Sequence, residues 1–94
     1  MRRLIWGSSF LRGYKRLLRK HPDLANRIAH TLELLAGDPF SPRLETHKLK
    51  GRLVGAWACT ADYDLRIIFD FCKSDAGAED AILLIDIGSH DEVY

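Results

Sequence analysis

Cysteine is scarce in this sequence: 94 residues include only Cys59 and Cys72, with neither a C-x-x-C spacing nor a Cys/His cluster. A disulfide framework and a structural zinc site are therefore disfavoured, and both thiols read as reduced groups in apolar, strand-like stretches. Long hydrophobic runs are missing as well. Met1-Arg2-Arg3 precedes only Leu4-Ile5-Trp6 before Gly7 and Ser8 break the run, too short for the core of a signal peptide. No stretch approaches the roughly 18–20 apolar residues of a membrane span, so a cytoplasmic chain with no membrane partner is expected. With three prolines and no repeat or linker, residues 1–94 are expected to form one domain. The hydrophobic fraction of 47% excludes intrinsic disorder. A charge excess is lacking too, since 14 Lys+Arg face 13 Asp+Glu for a net charge of +1. The distribution is far from even. Through Leu53 there are twelve basic and four acidic residues; from Val54 onward there are two basic and nine acidic.

What is present is a change of period along the chain. Arg2 to Trp6 read as a short strand stopped by Gly7-Ser8-Ser9, and Ser8 or Ser9 suits the cap of a following helix. Phe10, Tyr14, Leu17 and Leu18 then fall on one helical face, while Arg12, Lys15, Arg16, Arg19 and Lys20 take the others. Pro22 suits the first turn of a second helix with apolar positions Leu24, Ile28, Leu32 and Leu35, closed by Gly37 and Asp38-Pro39. An antiparallel helical hairpin is expected. Beyond Arg43 strand patterns take over: Leu53–Thr60, Leu65–Phe71 and Ile82–Gly88, with a tight link at Tyr63-Asp64 and a polar loop from Lys73 to Asp80. The order points to an α+β domain in which an N-terminal strand, a helical hairpin and a three-stranded antiparallel meander form one sheet covered on one side.

The period of two sorts the side chains. Leu65, Ile67, Phe69 and Phe71 are expected to face the helices, with Asp64, Arg66, Ile68 and Asp70 opposite. In the last strand Leu83, Ile85 and Ile87 share a face, with Leu84, Asp86, Gly88 and His90 on the other. Asp64, Arg66, Asp86 and His90 are thus expected to converge on the open side, near the segment Thr46 to Gly51 that holds His47, Lys48 and Lys50. Two imidazoles, carboxylates and cations suit phosphodiester chemistry, which needs proton carriers near neutral pH and positive charge for a phosphorane. Taken singly the groups have ordinary explanations: surface histidines, a cross-strand ion pair of Arg66 with Asp64 or Asp86, and a solvated lysine-rich helix face.

Taken together, three runs carry a resemblance: His47-Lys48-Leu49-Lys50-Gly51-Arg52-Leu53-Val54-Gly55-Ala56-Trp57, Tyr63-Asp64-Leu65-Arg66-Ile67-Ile68-Phe69, and Ile87-Gly88-Ser89-His90-Asp91-Glu92-Val93-Tyr94. In order, spacing and terminus the chain resembles the RelE/StbE branch of the RelE/ParE toxin superfamily, near the YafQ-type messenger-RNA interferases. The resemblance implies a RelE-like fold and the toxin of a type II toxin–antitoxin system: a ribosome-dependent endoribonuclease that cleaves messenger RNA in the A site and is silenced by a cognate antitoxin. It implies metal-free and cofactor-free chemistry in which a 2′-hydroxyl attacks the adjacent phosphate. His47 and His90 match the family's histidines and are expected to be general base and acid in either order. Asp64 would orient an imidazole or share the base role, Arg66 would stabilise the phosphorane, and Tyr94 would stack on a base or steady the phosphate. Arg12, Lys15, Arg16, Arg19, Lys20, Lys48 and Lys50 would bind ribosomal RNA phosphates. Thr60, Leu65 and Asp86 depart from the YafQ pattern, which has histidine, tryptophan and arginine there. Two other functions fit the same fold: a ParE-like inhibitor of DNA gyrase, and an inactive antitoxin-binding module.

Overall fold

The computed structural model describes residues 1–51, 55–73 and 80–93. Strand β1 (Leu4–Trp6) leads into helix α1 (Ser8–Lys20). A single 3-10 turn at Pro22–Leu24 precedes helix α2 (Ala25–Gly37). A second such turn, Pro42–Leu44, precedes β2 (His47–Lys48), and β3 (Trp57–Asp62), β4 (Leu65–Cys72) and β5 (Ala81–Ser89) follow. A last turn of helix, α3 (His90–Val93), ends the described chain. The strands form one five-stranded sheet in the order β1-β5-β4-β3-β2, parallel between β1 and β5 and antiparallel elsewhere. The expected α+β architecture is therefore present, with β2 as an added edge strand. Two residues are too few to leave an alternation in the sequence.

Each helix brings one apolar stripe to the sheet. Phe10 from α1 and Ile28, Leu32 and Leu35 from α2 pack on Cys59, Ile67, Phe69, Ile82 and Leu84, and eight of these nine are completely buried. Helix α1 starts at Ser8, and its N-cap is Gly7 with no side-chain cap, so neither Ser8 nor Ser9 has the expected capping role. The reason is steric. Gly7 donates its N–H to the Leu84 carbonyl at 2.9 Å, and a Cβ on Gly7 would stand 2.5 Å from that same oxygen. Further along, Gly13 lets α1 lie directly on β5: its Cβ would be 3.0 Å from the Ile87 carbonyl oxygen.

Two strand expectations need correction. The third strand of the chain begins at Trp57 rather than Leu53 and runs on to Asp62; Leu53 and Val54 themselves lie outside the described residues. In β5 the alternation breaks, because the pairing passes from Ile68 opposite Asp86 to Phe69 opposite Leu84 and leaves Ile85 as the extra residue of a β-bulge. Leu84 and Ile87 consequently both enter the helix-side core, while Ile85 packs on the other face. That other face is partly covered. Leu49, Ala56, Ala58, Ile68 and Val93 form a second, smaller buried cluster there, so α3 and the chain after β2 wall off a cleft on the side away from α1 and α2.

Candidate active site and family

The cleft encloses about 320 Å³ and is lined by Glu45, His47, Thr60, Arg66 and His90. Three of the expected residues, His47, Arg66 and His90, are thus brought together from β2, β4 and α3. His47 pairs with Ala58 and shares that residue's face of the sheet. Its neighbour Lys48 pairs with Trp57 and lies on the opposite face, its Nζ 5.6 Å from the indole ring centre. Lys48 is therefore exposed but separated from the cleft.

Main-chain groups position each member. The Nδ1 of His47 stands 3.1 Å from the Glu45 carbonyl oxygen. A carbonyl can only accept, so in the neutral ring Nδ1 carries the hydrogen and Nε2 is the basic nitrogen. Glu45 reaches this position with a φ of 51°, the left-handed conformation uncommon for a residue with a side chain. Arg66 does not form the cross-strand ion pair considered from its spacing. Its Nη1 donates to the carbonyls of Asp62, Tyr63 and Leu65 at 3.2, 3.3 and 3.3 Å, which staples the β3–β4 turn. A guanidinium has five N–H donors, and these bonds involve one nitrogen only. His90 is the first residue of α3, exposed at its side chain, with Nδ1 3.6 Å from the Asp91 carboxylate.

Asp64 sits in the turn Tyr63-Asp64 rather than in a strand, and its Oδ1 accepts the backbone N–H of His90 at 3.4 Å across 26 residues of sequence. Asp86 is not brought to the cleft. Its Oδ1 instead accepts the Ile87 N–H at 2.9 Å and lies near Gly13 of α1. Tyr94 lies outside the described residues. Glu45 was missed by sequence reasoning, because nothing in Arg43-Leu44-Glu45-Thr46 signals a left-handed residue. Thr60 was noticed only as a departure from a pattern, yet it faces Arg66 across the β3–β4 pair.

The five α1 cations, Arg12, Lys15, Arg16, Arg19 and Lys20, are all exposed, as is Lys50. Arg16 and Lys20 border a second groove, of about 190 Å³, whose far wall includes Gly88 and Glu92. Among the described residues no group of three or more His, Cys, Asp or Glu side chains is placed to hold a metal ion, and no helix is long and apolar enough to cross a membrane. Both cysteines are free; burial pushes the Cys59 thiol up to about 12, with the positive charge of Arg66 opposing.

A family model described as the bacterial toxin of a type II toxin–antitoxin system, YafQ, matches residues 2–94. The chain belongs to this family of toxins. Its fold is that of solved relatives. A metal-bound toxin from Helicobacter pylori is 26% identical with a TM-score of 0.79, each chain covered at 100%. The YoeB/ParE toxin from Agrobacterium tumefaciens is 22% identical with a TM-score of 0.75, covering 94% of this chain and 98% of that one. The E. coli DinJ–YafQ toxin–antitoxin complex is 16% identical with a TM-score of 0.75, covering 99% and 97%. Among curated proteins none matches significantly.

Proposed function

We propose that this toxin is a messenger-RNA endoribonuclease that works in the cytoplasm, in the ribosomal A site, and needs no metal for the chemical step. The observation that carries the reading is the cleft itself, in which two imidazoles and a guanidinium from three separate elements face one space large enough for a phosphodiester. His47 Nε2 takes the proton of the 2′-hydroxyl, the freed oxygen attacks the adjacent phosphorus in line, and the 5′-oxygen leaves as the P–O bond breaks. His90, whose Nδ1 stands 3.6 Å from the Asp91 carboxylate, gives a proton to that oxygen. Arg66 meets the charge on the phosphorane through the nitrogens not committed to the turn. The products are a 2′,3′-cyclic phosphate and a 5′-hydroxyl. Asp64 acts on His90 through the main chain, and Tyr94 stacks on a base or steadies the phosphate.

The exposed cations of α1 with Lys48 and Lys50 supply contacts to ribosomal RNA phosphates. Because YafQ of E. coli is found in complex with DinJ, a cognate antitoxin is proposed here too, one presenting an acidic segment to the basic half of the chain. The test is induction of the toxin without antitoxin, followed by primer extension on translated messages. Cleavage within codons is expected, abolished when translation is blocked, and lowered about 10²–10⁴-fold by His47→Ala or His90→Ala, the size of a lost general acid or base. Intact messages accompanied by gyrase-dependent DNA breaks would overturn it in favour of gyrase inhibition.

A further inference from the structure

Helix α3 is one turn of four residues, far below the length at which a helix holds itself in water. Yet it carries His90. Four contacts fix it. Ser89 Oγ accepts the Glu92 N–H at 3.2 Å, and Glu92 Oε1 accepts the Ser89 N–H at 2.9 Å. This reciprocal pair closes the S-x-x-E capping box of Ser89-His90-Asp91-Glu92. Asp64 accepts the His90 N–H from outside the turn. Val93 anchors the end of the turn in the smaller core, against the cluster of Leu49, Ala58 and Ile68. Gly88 makes room, since a Cβ there would lie 3.2 Å from Glu92 Cβ, Glu92 Oε1 and Val93 Cγ1.

Resting on the nuclease reading above, we infer that Ser89 and Glu92 are positioning residues for His90, with their reciprocal hydrogen bonds setting the direction from which its imidazole enters the cleft. The hydrogen bonds from the Ser89 backbone and side chain hold the Glu92 carboxyl below the usual carboxylate range, with Arg16 and Lys20 of α1 adding to the effect. The part of the box's stability that comes from the carboxylate charge is therefore complete above the ordinary glutamate range and declines as pH falls through the lowered value, while the hydrogen bond itself needs only an oxygen that accepts. A neutral acceptor serves equally well in this geometry. That separates positioning from a role of charge.

The test compares Glu92→Ala with Glu92→Gln on ribosomes programmed with a short synthetic message. Glu92→Ala is expected to lower kcat about 10- to 100-fold with KM little changed, the scale of a misplaced reacting group. Glu92→Gln, whose amide oxygen still accepts the Ser89 N–H, is expected to restore kcat to within about threefold. A Glu92→Ala enzyme as fast as wild type, or a Gln variant as slow as the Ala variant, overturns the inference. NMR of the His90 ring and of the Ser89 amide gives a readout independent of cleavage. Glu92→Ala should shift the ring signals and speed exchange of the Ser89 amide, and Glu92→Gln should do neither. If the wild-type toxin cuts no message, the nuclease reading fails, and the ring signals alone decide the positioning: unchanged signals in Glu92→Ala refute it.

Discussion

Replacing Gly7 by alanine tests the junction on which β1, β5 and α1 all depend. Gly7 has φ −69° and ψ 159°, values open to any residue, so backbone freedom is not what makes glycine necessary there. Space is. The added Cβ would stand 2.5 Å from the Leu84 carbonyl oxygen, whereas ordinary contact begins at 3.4 Å. Neither partner can yield cheaply. Leu84 is fully buried in a strand paired on both sides, with Trp6 of β1 and Phe69 of β4. The Gly7 carbonyl meanwhile accepts the Leu11 N–H at 3.0 Å in the first turn of α1.

Relief of the clash requires β1 to move off β5. That breaks the 2.9 Å hydrogen bond from Gly7 to Leu84, worth about 0.5–1.5 kcal/mol, and adds an overpacking strain of about 1–3 kcal/mol. The sum, about 2–4 kcal/mol, is a large part of the roughly 5–14 kcal/mol expected at 0.05–0.15 kcal/mol per residue. At about 4–8 °C per kcal/mol for a domain of this size, Tm should fall by roughly 10–30 °C. Trp6 reports the change directly, since its ring meets Phe10 and Tyr14 edge-on at 5.0 Å. Thermal and urea unfolding followed by tryptophan fluorescence is the assay. Gly37→Ala is the control. Gly37 ends α2 with nothing within 4 Å of an added Cβ, so alanine there should be neutral or stabilising by up to about 1 kcal/mol. A Gly7→Ala protein that unfolds at the wild-type midpoint would refute the steric argument.

Further outcomes follow from the cleft and its surroundings. Arg66→Ala should lower message cleavage and also loosen the β3–β4 turn, by about 1 kcal/mol for the lost carbonyl contacts; Arg66→Lys, keeping a cation, should retain more cleavage, and equal losses in both would argue against the phosphorane role. Cys59, fully buried, should resist thiol reagents at pH 8 while Cys72 reacts, as read by mass spectrometry of the intact and unfolded protein. Because folding raises the Cys59 thiol from 9.0 to about 12, the stability tied to it is complete below pH 9 and lost as pH rises toward 12, with a slope of at most about 1.4 kcal/mol per pH unit. Cys59→Ala should flatten that slope in alkaline urea titrations. Alanine at Arg12, Arg16 and Arg19 together should weaken ribosome binding, and the slope of log affinity against log salt should shrink by about one per lost phosphate contact; an unchanged slope would assign these charges to solubility.

Where the sequence pattern is long and regular, it located the elements well. The helical stripes of Phe10–Leu18 and Leu24–Leu35 and the alternation of Leu65–Phe71 reappear because one face of each must be buried, and burial is what periodicity records. The misplacements share another cause. Ile85 is an extra residue against β4, and one inserted residue exchanges faces for everything beyond it. This is why Leu84 enters the helix-side core and Ile85 the other face, whereas Asp86 keeps the register of Ile68 but turns its carboxylate to the Ile87 N–H and to Gly13 of α1. Glu45 turns left-handed without a glycine to announce it, and β2 is too short to alternate. The capping box of Ser89 and Glu92 was written in the chain as S-x-x-E, but only the fold shows that the turn it closes carries a cleft histidine.

The same comparison explains why net charge says so little about this cleft. His47 is held by the Glu45 carbonyl, Arg66 by three carbonyls of the β3–β4 turn, and His90 through its N–H by Asp64. Among the described residues the Arg66 guanidinium is held by carbonyls rather than by a carboxylate, which on the nuclease reading proposed above leaves its charge for the phosphate, whatever the surplus of acidic residues beyond Val54. It also bears on the departures from the YafQ pattern. Thr60 lies on the cleft wall, Leu65 is buried in the main core and the Asp86 carboxylate lies near α1, while His47 and Arg66 bond to main-chain carbonyls and Asp64 accepts the His90 N–H. Of the three, Thr60 alone lines the cleft, so on the nuclease reading proposed above Thr60→His should change substrate preference before it removes the chemistry, whereas exchanging Asp86 should act on the contact of β5 with α1.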